Sequence, residues 1–323
     1  MESKKKIVIT DCDHPDINPE LEVMLGSDYD LELEQCLSET DLINKCQNAE
    51  GLINQYAPLT RKVLESLPNL KVISRYGVGF DNVDIDAAAE LGIQVCNVPD
   101  YGVEEVSDHA MALAFNLTRK INLLSNAVKR NHWDFQIAAP IRRLNKLTIG
   151  VVGLGRIGTA FAKKASAMGW NVIGYDKNNT TQFYQTTLEE LCQVSDVISI
   201  HLPLNEETHH LFNKRLFKLM KSSSIIINTS RGPLISETDL IEALENNEIA
   251  GAALDVLETE PPPEDYKLFD FDQVILTPHS AWYSEEASYD LKRKAAEEVL
   301  TYLCNKKVRY PVNNPISVGG SHV

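Results

Sequence analysis

Short apolar runs alternate with amphipathic stretches along nearly the whole chain. In the first third of the chain, four runs rich in Ile, Val and Leu predict buried strands at residues 7–9, 51–53, 70–73 and 93–96. Residues 61–67 and 84–91 lie between these strands and have the spacing of helices. Alternation of this kind predicts a parallel sheet that is covered by helices on both faces.

A second series of strands follows a long helical stretch. Residues 103–130 contain no Gly and no Pro, and their length predicts more than one helix. Six further strands are then predicted, at residues 147–152, 171–175, 196–200, 224–228, 251–255 and 274–277. This is the strand number of a complete dinucleotide-binding sheet. A last helix is predicted at residues 285–305, and a loose polar tail at residues 319–323.

The strongest single motif is a glycine-rich turn between the first strand of this second series and a helix. It reads GLGRIG at residues 153–158. Gly153 allows a tight turn, Gly155 lets the backbone approach a pyrophosphate, and Gly158 lets the helix pack closely on the strand. The N-terminus of the helix then offers N–H donors and a partial positive charge to the phosphates. The turn therefore predicts a dinucleotide site.

A carboxylate at the end of the next strand indicates which dinucleotide is bound. Asp176 lies 18 residues after Gly158 (176 − 158), where it would accept hydrogen bonds from the hydroxyls of the adenosine ribose. A 2′-phosphate at that place would meet a like charge, and no arginine follows in Lys177-Asn178-Asn179 to compensate. NAD is therefore favoured over NADP.

The position of the glycine turn in the middle of the chain predicts the domain organisation. The predicted fold class is α/β, with two doubly wound parallel-sheet domains. A Rossmann cofactor domain (residues 100–287) is inserted in a flavodoxin-like substrate-binding domain, which is made of residues 1–99 and 288–323. A ligand is expected in a cleft between two such domains.

Composition and charge narrow the class of protein. The chain has 323 residues, 43% of them hydrophobic and 24% charged, which suits a globular protein of two domains. Its formal charge of −15 argues against direct nucleic-acid binding, because the phosphate backbone would be repelled. The sequence has no apolar stretch long enough for a membrane span and no recognisable signal peptide, so we expect a cytoplasmic location.

The cysteines give no sign of a metal or redox site. Six of them are scattered along the chain without a C-x-x-C pair. Zinc sites and thiol redox motifs need cysteines at close, regular spacing. We therefore expect reduced thiols and no bound metal.

Three polar residues that follow predicted strands could carry a reaction: Arg231, Glu260 and His279. Reduction of a 2-oxo acid needs a cation for the carboxylate, which Arg231 could supply through a forked pair of hydrogen bonds. It also needs a proton donor for the developing alkoxide, and the imidazole of His279 suits that role. Glu260 beside it would favour the imidazolium form and orient the ring. Each residue alone is more often structural, but the ordered set beside a dinucleotide motif favours catalysis.

The whole chain resembles the D-isomer-specific 2-hydroxyacid dehydrogenase family. The matching motifs lie at residues 75–84, 97–99, 153–158, 201–204, 228–232, 251–256 and 278–279. The resemblance implies that Arg231, Glu260 and His279 are the catalytic triad and that Asp255 holds the nicotinamide carboxamide. It implies that the backbone amides at Val78 and Gly79 receive the substrate carboxylate. It also assigns cofactor contacts to Arg156, Ile157, His201, Pro203 and Thr229.

Within the family, residues 279–285 and 75–81 resemble the C-terminal-binding protein branch. The resemblance implies that Trp282 lines the substrate pocket and that Arg75 helps hold the carboxylate. Two positions depart from the branch: Val106 replaces its threonine, and Pro203 follows the wider family. A homodimer formed through residues 103–130 is also implied.

Together these observations predict an NAD-dependent enzyme that reversibly reduces a small 2-oxo acid to the (R)-2-hydroxy acid. The indole of Trp282 favours an apolar or thioether side chain and fits poorly with a phosphorylated substrate. The alternative is an NAD-sensing binding protein of corepressor type. Such corepressors carry a long C-terminal extension, whereas this sequence ends soon after its last predicted helix, so the enzyme is favoured.

Overall fold

Two parallel sheets organise the chain in a computed structural model that describes residues 5–177 and 183–316. The predicted tail at 319–323, Asn178 and Asn179 lie outside the described residues. The chain divides into two compact units, one formed by Met1–Gly102 with Ser284–Val323 and the other by Val103–Tyr283.

The first unit has five parallel strands in the order β2-β1-β3-β4-β5. The strands are β1 (Lys5–Ile9), β2 (Tyr29–Leu33), β3 (Ala49–Asn54), β4 (Val72–Arg75) and β5 (Gln94–Cys96). Its helices are α1 (Asn18–Met24), α2 (Glu39–Lys45), α3 (Arg61–Glu65), α4 (Ile85–Glu90) and, from the end of the chain, α11 (Glu285–Leu303). Helices α2, α3 and α4 share one apolar core with the sheet. Helix α11 packs on β3, where a Cβ on Gly51 would lie 2.6 Å from Val299.

The second unit has six parallel strands in the order β11-β10-β9-β8-β6-β7. The strands are β6 (Thr148–Val152), β7 (Asn171–Tyr175), β8 (Val197–Ile200), β9 (Ile225–Asn228), β10 (Gly251–Leu254) and β11 (Val274–Leu276). The helices are α5 (Val103–Arg119), α6 (Ile121–Lys129), α7 (Arg156–Ala167), α8 (Leu188–Val194), α9 (Lys214–Phe217) and α10 (Glu237–Glu245). Short 3₁₀ turns occupy Phe135–Ala138, Leu144–Lys146, Gly232–Leu234 and Lys267–Asp270.

Apolar side chains cover both faces of this second sheet. Helices α5 and α7 pack on one face, with Phe161 fully buried among them. Helices α8, α9 and α10 pack on the other, around Phe212 and Phe217. The two-sided covering explains why these strands are nearly continuous apolar runs, which is what made them recognisable in the sequence.

The predicted fold class is confirmed, and all ten predicted strands are present. The sequence analysis gave no residue range for β2, α1 and α2 in the first unit or for α8, α9 and α10 in the second. Strand β2 is the edge strand of its sheet, and its residues alternate between polar and apolar, so it lacks the apolar run of a central strand. The stretch at 103–130 is two helices, because Lys120 takes a left-handed conformation (φ 50°) between α5 and α6.

Among the described residues, no helix combines the length and the apolar character that crossing a membrane would require.

Candidate active site

The predicted cofactor and catalytic residues of the second unit meet at one edge of its sheet. Because all six strands are parallel, their carboxyl ends lie at the same edge. One predicted group follows each strand: the glycine turn after β6, Asp176 after β7, His201 after β8, Arg231 after β9, Asp255 after β10 and His279 after β11. This edge is where open α/β sheets bind ligands.

The glycine turn has the geometry that its sequence predicts. Gly153 has φ +93°, and a Cβ there would lie 2.5 Å from the backbone oxygen of His201. A Cβ on Gly158 would lie 1.9 Å from the backbone oxygen of Gly153. Both positions therefore exclude a side chain. A Cβ on Gly155 would meet nothing within 4 Å, so the space above this residue is open.

The N-terminus of α7 can accept an anion. Gly155 is its N-cap and provides no side-chain cap, so Arg156 and Ile157 begin the helix with uncapped N–H groups. Asp176 is tied to the turn, because its Oδ2 accepts the N–H of Leu154 at 2.6 Å. The carboxylate predicted to bind the ribose thus lies beside the turn predicted to bind the pyrophosphate.

Two buried polar atoms that follow strands β8 and β9 have no hydrogen-bond partner among the described residues: Nδ1 of His201 and Oγ1 of Thr229. Nε2 of His201 lies 2.9 Å from Oγ of Ser199. Burial lowers the pKa of His201 to about 3, so the ring is neutral. Pro203 accepts a hydrogen bond from Thr208 through its carbonyl. A buried unpaired polar group costs about 1–3 kcal/mol, so atoms of this kind are those that a bound ligand would satisfy. The donors present fit a dinucleotide.

His279 and Glu260 form the central pair of the site. Nδ1 of His279 lies 2.7 Å from Oε2 of Glu260, and both side chains are about one-third exposed (32% and 36%). The second carboxylate oxygen, Oε1, accepts the N–H of Leu257 at 2.8 Å. The carboxylate therefore bonds the Nδ1 edge of the imidazole, and the structure brings together the two residues that the sequence analysis paired.

The neighbours of Glu260 favour its ionised form. Burial by itself raises the pKa of Glu260, but the hydrogen bond and charge of His279 lower it. The N–H of Leu257 and the charge of Arg231 lower it further, and the resulting pKa lies below the ordinary value of 4.5. The carboxyl group is therefore ionised at neutral pH and can stabilise a protonated imidazole.

Arg231 lies close enough to Glu260 for its charge to act on the carboxylate. Its guanidinium donates to the carbonyl of Ser230 at 2.8 Å. The next residue, Gly232, touches the loop that carries Glu260: a Cβ there would lie 2.0 Å from the carbonyl of Leu257. This close approach brings the three predicted catalytic side chains together.

Asp255 is nearly fully buried (2% exposed), and both of its oxygens have donors within the chain. Thr277 donates its hydroxyl to Oδ1 at 2.5 Å, and the N–H of Ser280 donates to the same atom at 3.0 Å. The N–H of Ala281 donates to Oδ2 at 2.9 Å. The sequence analysis missed these donors, although Thr277 stands two residues before His279. The predicted contact of Asp255 with the nicotinamide carboxamide stays a prediction.

The residues assigned to the substrate carboxylate lie in the first unit, after β4. Arg75 donates to the carbonyl of Tyr76, and Gly77 has φ +125°. Val78 is 40% exposed, and its carbonyl accepts a hydrogen bond from Asn97 at 2.7 Å. Gly79 follows in the same loop. Their substrate-binding roles stay predictions.

Trp282 lies in the second unit, three residues after His279. Its ring meets that of Tyr283 edge-on, with 5.6 Å between centroids.

Among the described residues, no group of three or more His, Cys, Asp or Glu side chains is arranged to hold a metal ion. All six cysteines are free thiols.

Comparison with known proteins places the chain in a family. The model for the D-isomer specific 2-hydroxyacid dehydrogenase, NAD binding domain, matches residues 111–281. The chain is 37% identical over 318 residues to a D-3-phosphoglycerate dehydrogenase of Methanocaldococcus jannaschii, covering 96% of this chain and 60% of that protein. A protein of the same name from Archaeoglobus fulgidus is 34% identical over 302 residues, covering 91% of this chain and 57% of that one. This chain thus spans less than two thirds of the length of these relatives.

A solved structure gives the same assignment. A D-lactate dehydrogenase of Aquifex aeolicus in complex with NAD and lactic acid has a TM-score of 0.85 and 28% identity, covering 93% of this chain and 96% of that one. The likeness to the C-terminal-binding protein branch stays a prediction. The match to the family model spans more than half of the chain and includes the glycine turn and His279. The chain therefore belongs to the D-isomer specific 2-hydroxyacid dehydrogenase family.

Proposed function

We propose that the chain catalyses the reversible, NAD-dependent reduction of a small 2-oxo acid to the (R)-2-hydroxy acid, with His279 as the acid and base. The bond between His279 and Glu260 carries this proposal. Because Nδ1 is bonded to the carboxylate, Nε2 is the nitrogen that exchanges a proton with the substrate oxygen. Glu260 orients the ring and stabilises the imidazolium that gives up this proton.

The chain's own residues would hold the cofactor at the strand edge. The N–H groups at the start of α7 bind the pyrophosphate, and Asp176 accepts hydrogen bonds from the adenosine ribose. His201 and Thr229 offer their unpartnered atoms to the same molecule. When bound there, NADH would supply the hydride for the C2 carbon of the substrate. The carboxylate of Asp176 disfavours a 2′-phosphate, so NAD is preferred over NADP.

The substrate carboxylate needs positive charge and N–H donors. Arg231 supplies a planar guanidinium that can bind a carboxylate through two hydrogen bonds. The roles of Arg75, Val78 and Gly79 of the first unit as further donors stay a prediction of the family resemblance. Within the second unit, a carboxylate held by Arg231 would place the neighbouring C2 oxygen where His279 can protonate it.

The class of substrate is the finer part of the proposal. Trp282 favours an apolar or thioether side chain, as in 4-methylthio-2-oxobutanoate or a branched 2-oxo acid. The names of the two archaeal relatives make D-3-phosphoglycerate the main competing substrate. A phosphate group would require additional cations in the substrate site to neutralise it. The values of kcat/KM for apolar and phosphorylated substrates therefore distinguish between the two classes.

We also propose that the chain forms a homodimer. Helix α6 has no buried residue in the isolated chain. The segment after it exposes two large aromatic side chains, Trp133 (88% exposed) and Phe135 (78% exposed). Exposed aromatic side chains beside an amphipathic helix are typical of a protein interface. A second copy would cover them.

The test follows NADH consumption with pyruvate, glyoxylate, hydroxypyruvate, 4-methylthio-2-oxobutanoate and 3-phosphohydroxypyruvate, the 2-oxo acid that corresponds to D-3-phosphoglycerate. We expect 4-methylthio-2-oxobutanoate to give the highest kcat/KM. His279→Ala and Arg231→Ala should each lower kcat/KM by about 1,000-fold while NADH still binds, because each removes a transition-state contact and leaves the glycine turn intact.

Arg215→Ala is the control for the loss of a cation. Arg215 is an exposed arginine of the same unit that pairs with Glu189 at 2.9 Å, and no role in the proposed site is assigned to it. This variant should keep the parent rate. Near-normal turnover by His279→Ala would refute the proposed mechanism, and a phosphorylated substrate with the highest kcat/KM would refute the proposed substrate class.

A further inference from the structure

A second histidine of the second unit, His109, contacts the side chains of Thr277 and Asp255, which lie next to the segment of His279. Nε2 of His109, on α5, lies 3.1 Å from the hydroxyl of Thr277 and 3.8 Å from Oδ1 of Asp255. The side chain of His109 is 26% exposed, so it does not merely fill the core. None of the roles described above uses this residue.

The hydrogen bonds in this group run in one direction. The hydroxyl of Thr277 has one proton, and at 2.5 Å it donates that proton to Asp255. The oxygen of Thr277 can therefore only accept from His109, which requires the proton of a neutral ring to sit on Nε2. His109 thus fixes the direction in which Thr277 points its proton.

Asp255 in turn holds the segment that contains the acid-base histidine. Its carbonyl accepts the N–H of His279 at 2.8 Å, and its carboxylate accepts the N–H groups of Ser280 and Ala281. His279 has φ 51°, a left-handed conformation that is costly for a residue with a Cβ. The surrounding hydrogen bonds must therefore maintain this conformation.

We propose that His109 is a positioning residue for His279, acting through Thr277 and Asp255. Its N–H keeps the hydroxyl proton of Thr277 on Asp255, and the fully bonded carboxylate then holds residues 279–281 in place. Without that N–H, the hydroxyl of Thr277 can rotate, and the carboxylate loses its shortest hydrogen bond. This inference rests on the proposed function, because it assigns His279 the acid-base role.

Three variants test the inference. His109→Leu removes the donor, and Thr277→Val removes the hydroxyl while keeping its shape. We expect each to lower kcat about tenfold and to leave KM for NADH within about twofold, because the loop moves while the glycine turn stays intact. His109→Gln places an amide N–H near the position of Nε2, and it should recover kcat to within about threefold of the parent.

A second measurement does not depend on turnover. The chain contains three tryptophans, so labelling with 5-fluorotryptophan gives three ¹⁹F signals, and Trp282→Phe identifies the one next to the held segment. The Trp282 signal should shift in His109→Leu and in Thr277→Val and should keep its parent position in His109→Gln. If the parent reduces no 2-oxo acid, the proposed function fails, and the ¹⁹F comparison still decides whether His109 orders the loop.

The inference is overturned if His109→Leu keeps both the parent kcat and the parent Trp282 signal. It is equally overturned if His109→Gln behaves like His109→Leu, because the residue would then serve only as packing. Should His109→Leu fail to fold, Thr277→Val gives the same two readouts and must show the same loss.

Discussion

At the scale of single residues, the site depends on side chains whose neighbours set their charge. Glu260 loses water contacts on folding, which alone would raise its pKa, yet His279, Leu257 and Arg231 together hold the pKa below 4.5. At the same edge of the sheet, Nδ1 of His201 has no hydrogen-bond partner among the described residues. Burial lowers the pKa of this histidine to about 3. One histidine thus has an ionised carboxylate beside it, and the other is kept neutral by burial.

The lowered pKa of Glu260 predicts a pH-dependent contribution to stability. A carboxyl with a folded pKa below its unfolded value stabilises the fold above the unfolded value, here 4.5. This contribution is lost as the pH falls through the folded pKa. The parent should therefore melt above Glu260→Gln at pH 7, and the difference should shrink as the pH falls through the folded pKa of Glu260, which lies below the unfolded value. Thermal melts between pH 3.5 and 7 measure it.

Glu264→Gln serves as the matched control for this series, because Glu264 is an exposed carboxyl close by in the chain. Its melting temperature should follow that of the parent at every pH. A difference between parent and Glu260→Gln that stays constant across the range would show that the carboxylate does not contribute through its charge.

At the scale of elements, the turn between β6 and α7 illustrates two different requirements for glycine. Gly158 lies against backbone, because a Cβ there would be 1.9 Å from the carbonyl oxygen of Gly153. Gly155 lies against open space, where the predicted pyrophosphate would come close. The fold therefore requires glycine at position 158, and we predict that the ligand requires it at position 155.

Single alanine substitutions should separate these two requirements. Gly158→Ala forces backbone apart and should lower Tm by about 5 °C without cofactor, since overpacking typically costs 1–3 kcal/mol. Gly155→Ala should keep Tm within about 2 °C and weaken NADH binding about tenfold, because the methyl group occupies the space of the phosphates. Thermal melts and titration of NADH fluorescence measure the two effects. Parent-like NADH affinity in Gly155→Ala would place the pyrophosphate elsewhere.

At the scale of the whole molecule, one chain forms two α/β units by leaving the first sheet after β5 and returning to it with α11. The return is anchored in the first unit by Lys292 of α11, whose Nζ lies 3.1 Å from Asp16. Glu298 of the same helix accepts the N–H groups of Arg309 and Tyr310. The last described segment is thus held on the unit in which the chain began.

The proposed homodimer predicts a change of mass on removal of the exposed aromatic side chains. Sedimentation should give twice the chain mass for the parent and the chain mass for the double variant Trp133→Ser/Phe135→Ser, because the apolar contact is removed. Met168→Ser, which alters a side chain exposed elsewhere on the same unit, should remain dimeric. A monomeric parent would rule out the dimer.

The sequence by itself determined the two sheets, the glycine turn and the identity of the three catalytic candidates. Central strands buried on both faces must be apolar throughout, and a backbone turn around a phosphate admits only glycine, so both leave a local signal. Strand β2 left none, because an edge strand needs only one apolar face.

Only the tertiary structure decided how the site is supported. His109 lies 168 residues before Thr277, and Gly232 meets the carbonyl of Leu257 across a loop. Hydrogen bonds and close contacts of this kind depend on which strands become neighbours, and no local pattern of residues encodes that. The candidate residues of the site could therefore be proposed from the sequence, while the groups that hold them in place became visible only after folding.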